Sequence, residues 1–297
     1  MTNDKRQLMN LNSQLFLDGG DPEETRQANE LLQTKKPEWG IGIQGQTTNP
    51  TLVSKNPDVQ KYIASGKRLT QAEAAAQYKK IVLAVAEVTS GPISIQVIGD
   101  QSTSKDDMLA QARVYKEWIS NGVVKFPCTG NGLAAAEIFC QEFPVNITLN
   151  FSQPQAAAVY GATKNHTHRV FISPFVGRLD SQGENGMQVV ENELKMYQSI
   201  KNHVEVLTAS VRKIEHLLYA LALGSPAITI PYKIIEVWAT QGFPLPDASF
   251  MYDSTGLAAI PFQNLDMTKD WRSFNLSHPL TDAGLTKFMQ DWKGLLR

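Results

Sequence analysis

The sequence predicts an α/β protein, a single (β/α)8 TIM barrel with an extra C-terminal helical region. Short apolar runs suited to strands alternate eight times with longer amphipathic runs suited to helices, the alternation that builds a parallel sheet. The count separates the architectures: a doubly wound open sheet usually stops at about five or six strands, whereas eight close on themselves and leave no edge. No low-complexity segment or linker divides the chain, so residues 1–297 read as one domain, with the extension starting near 242.

The elements follow in order. Gln14 to Asp18 is a short apolar run that ends in a carboxylate before Gly19 and Gly20. Asp21, Pro22 and Glu24 then supply an N-cap, a first-turn proline and a capping glutamate for the first helix. Ile41 to Thr47 reads as the second strand, and the Thr48-Asn49-Pro50 that follows reads as a turn. A helix from about Thr70 to Val88 places Ala74, Tyr78, Ile81, Val82 and Val85 at helical spacing. Pro92 to Val97 is the third strand, and Ser104 to Ser120 its helix. Val123 to Phe126 is the fourth, followed by a helix over Gly132 to Phe143. Val145 to Leu149, Arg169 to Ile172, Val204 to Thr208 and Ala227 to Ile230 complete the eight. Their helices run near Ser152 to Tyr160, Met187 to Ile200, Ile214 to Leu223 and Tyr232 to Ala239, with Ser173 to Arg178 expected as a loop. The stretch from Gly242 to Pro279 does not repeat the unit. In the final helix, Asp282 to Leu296, Leu285, Phe288, Met289, Trp292, Leu295 and Leu296 share a face, which is expected to pack across the barrel or against a second copy in a homodimer.

Composition narrows the function. A formal net charge of −1, with no Lys/Arg run of five, lacks the footprint of a nucleic-acid binder. No apolar stretch approaches the roughly 18 residues needed to cross a bilayer, and Met1 to Asn10 has no apolar signal core, so a cytoplasmic protein is expected. The two cysteines, Cys128 and Cys140, fall outside any CxxC spacing and suit a reducing compartment. The five histidines are poorly placed for a metal: His166 and His168 sit in a polar loop and read as solvated, while His203, His216 and His278 read as lying away from the site. Neither cysteine looks like a metal ligand.

In a barrel of this kind the site forms at the C-terminal ends of the strands. The polar residues there are Asp18, Asn49, Gln96, Lys125, Asn146, Thr148, Ser173, Arg178, Ser210 and Arg212. Lys125 stands out, because Gly122-Val-Val-Lys-Phe-Pro127 otherwise reads as a strand buried on both faces. Desolvation lowers a lysine's pKa, and a neutral amine is the nucleophile that forms a Schiff base with a carbonyl. A lysine at a strand end can instead snorkel to water. Asp18 also fits a helix entry, Asn49 a turn, and the arginines surface ion pairs. Their coincidence on one rim around Lys125 is what favours a site.

The runs Phe16-Leu17-Asp18, Thr47-Thr48-Asn49-Pro50, Val123 to Pro127, Asn146 to Leu149 with Phe151-Ser152, Ser173-Pro174-Phe175-Val176-Gly177-Arg178 and Ala209-Ser210-Val211-Arg212 resemble, in order, the motifs of the transaldolase family. Leu280 to Trp292 resembles its closing helix. The resemblance implies a class I mechanism, with neither metal nor organic cofactor, on sugar phosphates in the non-oxidative pentose phosphate pathway. Lys125 would form the Schiff base and Asp18 would move the proton. Thr148 would position a water, and Asn49, Asn146 and Ser173 would hold hydroxyls. Arg178 and Arg212, with Ser210, would hold the phosphate. Where transaldolases usually carry a glutamate on the third strand, this chain has Gln96, as in the related fructose 6-phosphate aldolases. Phe175 and the C-terminal region resemble the transferases, since those aldolases have a tyrosine at the Phe175 position.

Overall fold

The computed structural model describes residues 11–247 and 249–297; the expectation for Met1 to Asn10 lies outside them. Eight parallel strands close in sequence order, β1 to β8, with β1 pairing β8. They are β1 (Gln14–Asp18), β2 (Gly45–Thr47), β3 (Ile93–Gln96), β4 (Gly122–Pro127), β5 (Val145–Asn150), β6 (Val170–Pro174), β7 (Val204–Thr208) and β8 (Ala227–Ile230).

The first helices are α1 (Pro22–Lys35), α2 (Pro50–Lys55), α3 (Pro57–Ala64), α4 (Gln71–Ala86) and α5 (Lys105–Tyr115). Next come α6 (Gly130–Phe139), α7 (Gln153–Ala162), α8 (Val176–Asp180) and α9 (Gly186–Gln198). The last are α10 (Ile214–Ala222), α11 (Tyr232–Thr240) and α12 (Pro279–Lys293). No helix among the described residues is long and apolar enough to cross a membrane.

Local chemistry explains the boundaries. The Asp21 carboxylate accepts from the Glu23 amide to cap α1, and Thr70 and Glu73 form a reciprocal capping box on α4. The second strand is shorter than its apolar pattern suggested, because the Asn29 side chain takes the Ile43 amide at 2.6 Å. The ladder therefore starts only at Gly45. Two helices absent from the sequence reading, α2 and α3, each begin with an asparagine N-cap followed by proline, Asn49-Pro50 and Asn56-Pro57. Val176 to Asp180, expected within a loop and its continuation, forms the short α8.

Inside the barrel, Phe16, Val123, Phe171, Leu207 and Ala227 form an apolar floor toward the N-terminal end. Phe16 and Phe171 meet edge to face at 5.9 Å. Below the floor, Arg169 lies 4.5 Å over the Phe171 ring and makes two bonds to Glu205, at 2.8 and 2.6 Å, and a third to Gln14. Above it the interior turns polar.

The extension packs on this same barrel. Residues 250–276 strap the outside of α7 to α9 through Asn185 with Ala258, Asn192 with Ile260 and Gln153 with Gln263. Helix α12 then crosses the C-terminal mouth. It begins over β5, where Thr281 donates to the Leu149 carbonyl, passes Gln101 after β3, and ends beside α4, where Leu69 and Leu295 exchange a backbone bond. Leu149 has φ +61°, uncommon for a branched residue, at an irregularity in the β5–β6 register. Its side chain thereby joins Phe151, Phe175, Leu285 and Phe288 in the apolar seam that seats α12.

Candidate active site

Helix α12 roofs the part of the mouth above β3 to β5. A cavity of about 610 Å³ remains, lined by Asp18, Asn49, Lys125, Ser173, Phe175, Arg178, Ser210 and Arg212 among the residues singled out in the sequence. Thr47, Lys55, Gln182, Thr229 and Lys287 also line it and were not anticipated. Gln96, Asn146 and Thr148 lie outside the lining, buried in the wall of the barrel.

Strand register explains this layering. Gln96 and Asn146 are the partners of Lys125 on the two flanking strands, so the three side chains form one inward-facing row. The Asn146 amide donates to Ser94 at 3.1 Å and its carbonyl accepts from Ser173 at 2.8 Å, which fixes its orientation. The Gln96 Oε1 and Thr148 Oγ1 atoms are buried and have no hydrogen-bond partner among the described residues. Tyr78, reaching in from α4, accepts the Gln96 amide at 2.8 Å and shares a bond with Thr48. It takes over where β2 has already left the sheet to begin α2.

Lys125 is 3% exposed, and its Nζ amine makes no hydrogen bond or ion pair with the described residues. Burial pulls its pKa from 10.5 to about 8, against the attraction of Asp18. Asp18 is half-buried, and burial raises its pKa; Lys125, the Thr47 hydroxyl and Lys55 act in the opposite direction. Thr47 donates to the Asp18 carboxylate at 2.8 Å and shares a 2.6 Å bond with Thr229. Gln46 steadies the loop behind Asp18 by donating to the Gly19 carbonyl at 2.9 Å. Asn49 spends its side-chain oxygen capping α2 at the Leu52 amide, which leaves its NH2 group for the cavity.

The two arginines sit on adjoining segments. Arg178 lies 5.3 Å from the Phe175 ring and 5.8 Å from the Phe288 ring, sandwiched between barrel and α12. Burial, and then Arg212, push its pKa down. Arg212 donates to the Ser181 hydroxyl. Among the described residues neither guanidinium has a carboxylate within ion-pair distance. Gly177 is required between them, because a Cβ there would overlap the Ser210 carbonyl, which accepts the Gly177 amide at 3.1 Å.

Three histidines make contacts that the sequence expectation did not include. His216 lies directly behind the Arg212 loop, and its Nδ1 accepts the Arg212 amide at 3.2 Å. His278 caps α12 at the rim and stacks on Phe151 at 5.0 Å. His166, expected in solvent, is half-buried and stacks on His203 at 4.2 Å. Sequence spacing carried no signal for these contacts, which join separate βα units.

The fold and the site define a (β/α)8 barrel protein whose C-terminal mouth gathers an amine, a carboxylate and two guanidiniums around one cavity. A family model described as transaldolase/fructose-6-phosphate aldolase matches residues 15–297, and the chain belongs to that family. It is similar to the "probable transaldolase" of Thermoanaerobacter sp. (strain X514), 32% identical over 281 residues, 94% of this chain and 96% of that one. It is also similar to those of Thermoplasma volcanium, 32% identical over 84% of this chain and 86% of that one, and Aquifex aeolicus, 31% identical over 94% and 95%.

Proposed function

We propose that this protein is a cytoplasmic transaldolase of the non-oxidative pentose phosphate pathway. It would transfer a dihydroxyacetone unit from a ketose phosphate, sedoheptulose 7-phosphate or fructose 6-phosphate, to an aldose phosphate. The observation that carries the reading is the buried Lys125 amine, without a hydrogen-bond or ion-pair partner among the described residues, in one cavity with Asp18, Arg178 and Arg212.

The neutral Lys125 amine attacks C2 of the ketose, and loss of water from the carbinolamine gives the Schiff base. Gln96 can hold that water but cannot exchange a proton with it, so Asp18 and water carry the proton. Asp18 then takes the C4 hydroxyl proton, the C3–C4 bond breaks, and its electrons pass into the protonated Schiff base to leave an enamine. The aldose phosphate departs. Asn49, Asn146 and Ser173 hold the hydroxyls of the retained unit, and Thr148 positions a water. The enamine attacks the aldehyde of the second aldose phosphate, Asp18 returns its proton to the new alkoxide, and hydrolysis frees the new ketose. The guanidiniums, with Ser210, anchor the phosphate through charge-assisted bonds, and Phe175 supports Arg178.

Gln96 favours a second reading, a fructose 6-phosphate aldolase releasing free dihydroxyacetone. Borohydride added with fructose 6-phosphate tests the first step: a three-carbon adduct on the peptide containing Lys125 is expected, and its absence there removes the nucleophile. Without an acceptor the transferase releases little dihydroxyacetone, and substantial net release selects the aldolase.

A further inference from the structure

We infer that His216 is a positioning residue of the phosphate cradle, a buried imidazole that joins the two arginine-bearing segments into one preorganised anion site. The inference rests on the reading of Arg178 and Arg212 as phosphate ligands. His216 is 1% exposed and touches no part of the cavity. Its Nδ1 accepts the Arg212 backbone amide at 3.2 Å, which assigns the proton to Nε2, and Nε2 donates to Asp180 Oδ2 at 2.8 Å. Asp180 sits in α8, two residues beyond Arg178. One ring thus ties the segment after β6 to the segment after β7.

The carboxylate at the centre is heavily committed. Tyr252 from the C-terminal strap donates to the same Asp180 oxygen, the Gly186 amide donates to the other at 3.0 Å, and Lys213 lies 3.4 Å away. Burial works to raise the Asp180 pKa, but the hydrogen bonds from His216, Tyr252 and Gly186 outweigh it and bring it to about 2. The anion therefore persists and holds the imidazole in one tautomer.

The cradle needs such support. Ser210 has φ +58°, a left-handed conformation that a non-glycine residue keeps only when its surroundings impose it. The Gly177 bond to its carbonyl fixes one side, and the His216 bond at Arg212 fixes the other. Two guanidiniums without carboxylate partners repel each other, so an unsupported loop would relax by moving them apart. An anion site gains affinity when that relaxation is already prevented.

The test uses the full chain, inorganic phosphate as an equilibrium binding probe, and fructose 6-phosphate and unphosphorylated fructose as alternative donors with one acceptor. His216→Leu removes both bonds, while His216→Asn keeps an acceptor for the Arg212 amide. For His216→Leu, phosphate Kd and the ratio of KM for fructose 6-phosphate to KM for fructose should both rise about five- to tenfold, the scale of one lost hydrogen bond. His216→Asn should recover most of that loss. If His216→Leu does not fold, Tyr252→Phe and Asp180→Asn loosen the same ring and should shift both quantities in the same direction. Wild-type phosphate affinity in these variants, or equal loss with both donors, overturns the positioning role. Arg212→Ala separates the premises: if it too binds phosphate normally, the cradle itself is misassigned, whereas a loss confined to Arg212→Ala removes only His216.

Discussion

The two ends of the barrel carry the same kinds of side chain and treat them in opposite ways. At the N-terminal end Arg169 is stacked on Phe171, bonded twice to Glu205 and once to Gln14, so its positive charge is spoken for within the fold. At the C-terminal end Lys125, Arg178 and Arg212 have no carboxylate within ion-pair distance among the described residues. A cation neutralised by the fold has little left to offer a ligand. A cation withheld from pairing is held at the expense of folding stability and remains available for an anion or a carbonyl. In this barrel charge pairing sets Arg169 at the floor apart from Lys125, Arg178 and Arg212 at the mouth.

The largest expected effect comes from removing the amine. Lys125→Met should lower turnover by about four orders of magnitude, about 5.4 kcal/mol of barrier. Near-normal turnover in that variant would move the chemistry elsewhere. Next is pH: with its pKa near 8, Lys125 is protonated and non-nucleophilic below that value. The logarithm of kcat/KM should rise by about one per pH unit from pH 6 and level off above about 8. A flat profile across that range would mean that a charged Lys125 is not what limits the reaction.

The arginines test the contrast directly. Arg178→Ala should raise KM for fructose 6-phosphate about 50- to 100-fold, or about 2.5 kcal/mol, the scale of bonds to a charged group. Arg169→Ala should leave that KM alone and lower stability by about 1 kcal/mol, since its pair with Glu205 is partly exposed. Equal effects on KM would erase the distinction between the ends.

The smallest effect is on stability. Between about 8 and 10.5 the folded chain binds fewer protons at Lys125 than the unfolded chain does, so stability from this group rises with pH in that window. Below about 8 the burial cost is present in full. Lys125→Met should therefore stabilise the fold at pH 7 by about 1–3 kcal/mol, less any loss from leaving Asp18 without its attraction. The gain should shrink by pH 10, and denaturant midpoints at the two values measure it.

How far the sequence could be read depended on whether the signal was local. Lys125 was conspicuous because one charge interrupts a run of apolar residues, and the capped start at Asp21 lies within four residues of chain. The starts of α2 and α3 were equally local, as two Asn-Pro pairs, but Asn49-Pro50 reads as a turn and Asn56-Pro57 drew no reading at all. The contacts of His216 were not legible because its partners Asp180 and Tyr252 are each 36 positions away in sequence. Lys55 and Lys287 carry no local signal in the sequence, yet the closure of the mouth brings both to one cavity.

The sequence by itself determined the alternation of eight strands with helices, the polar residues at their C-terminal ends, and the one lysine set among apolar neighbours. These are properties of hydrophobic period and side-chain chemistry over short stretches. Only the tertiary structure decided that α12 roofs half the mouth, that Leu149 turns outward to seat it, and that an imidazole behind the wall braces the Arg212 loop. Those features arise from contacts between segments far apart in the chain, where register, closure of the sheet and the competition for buried hydrogen bonds set the outcome.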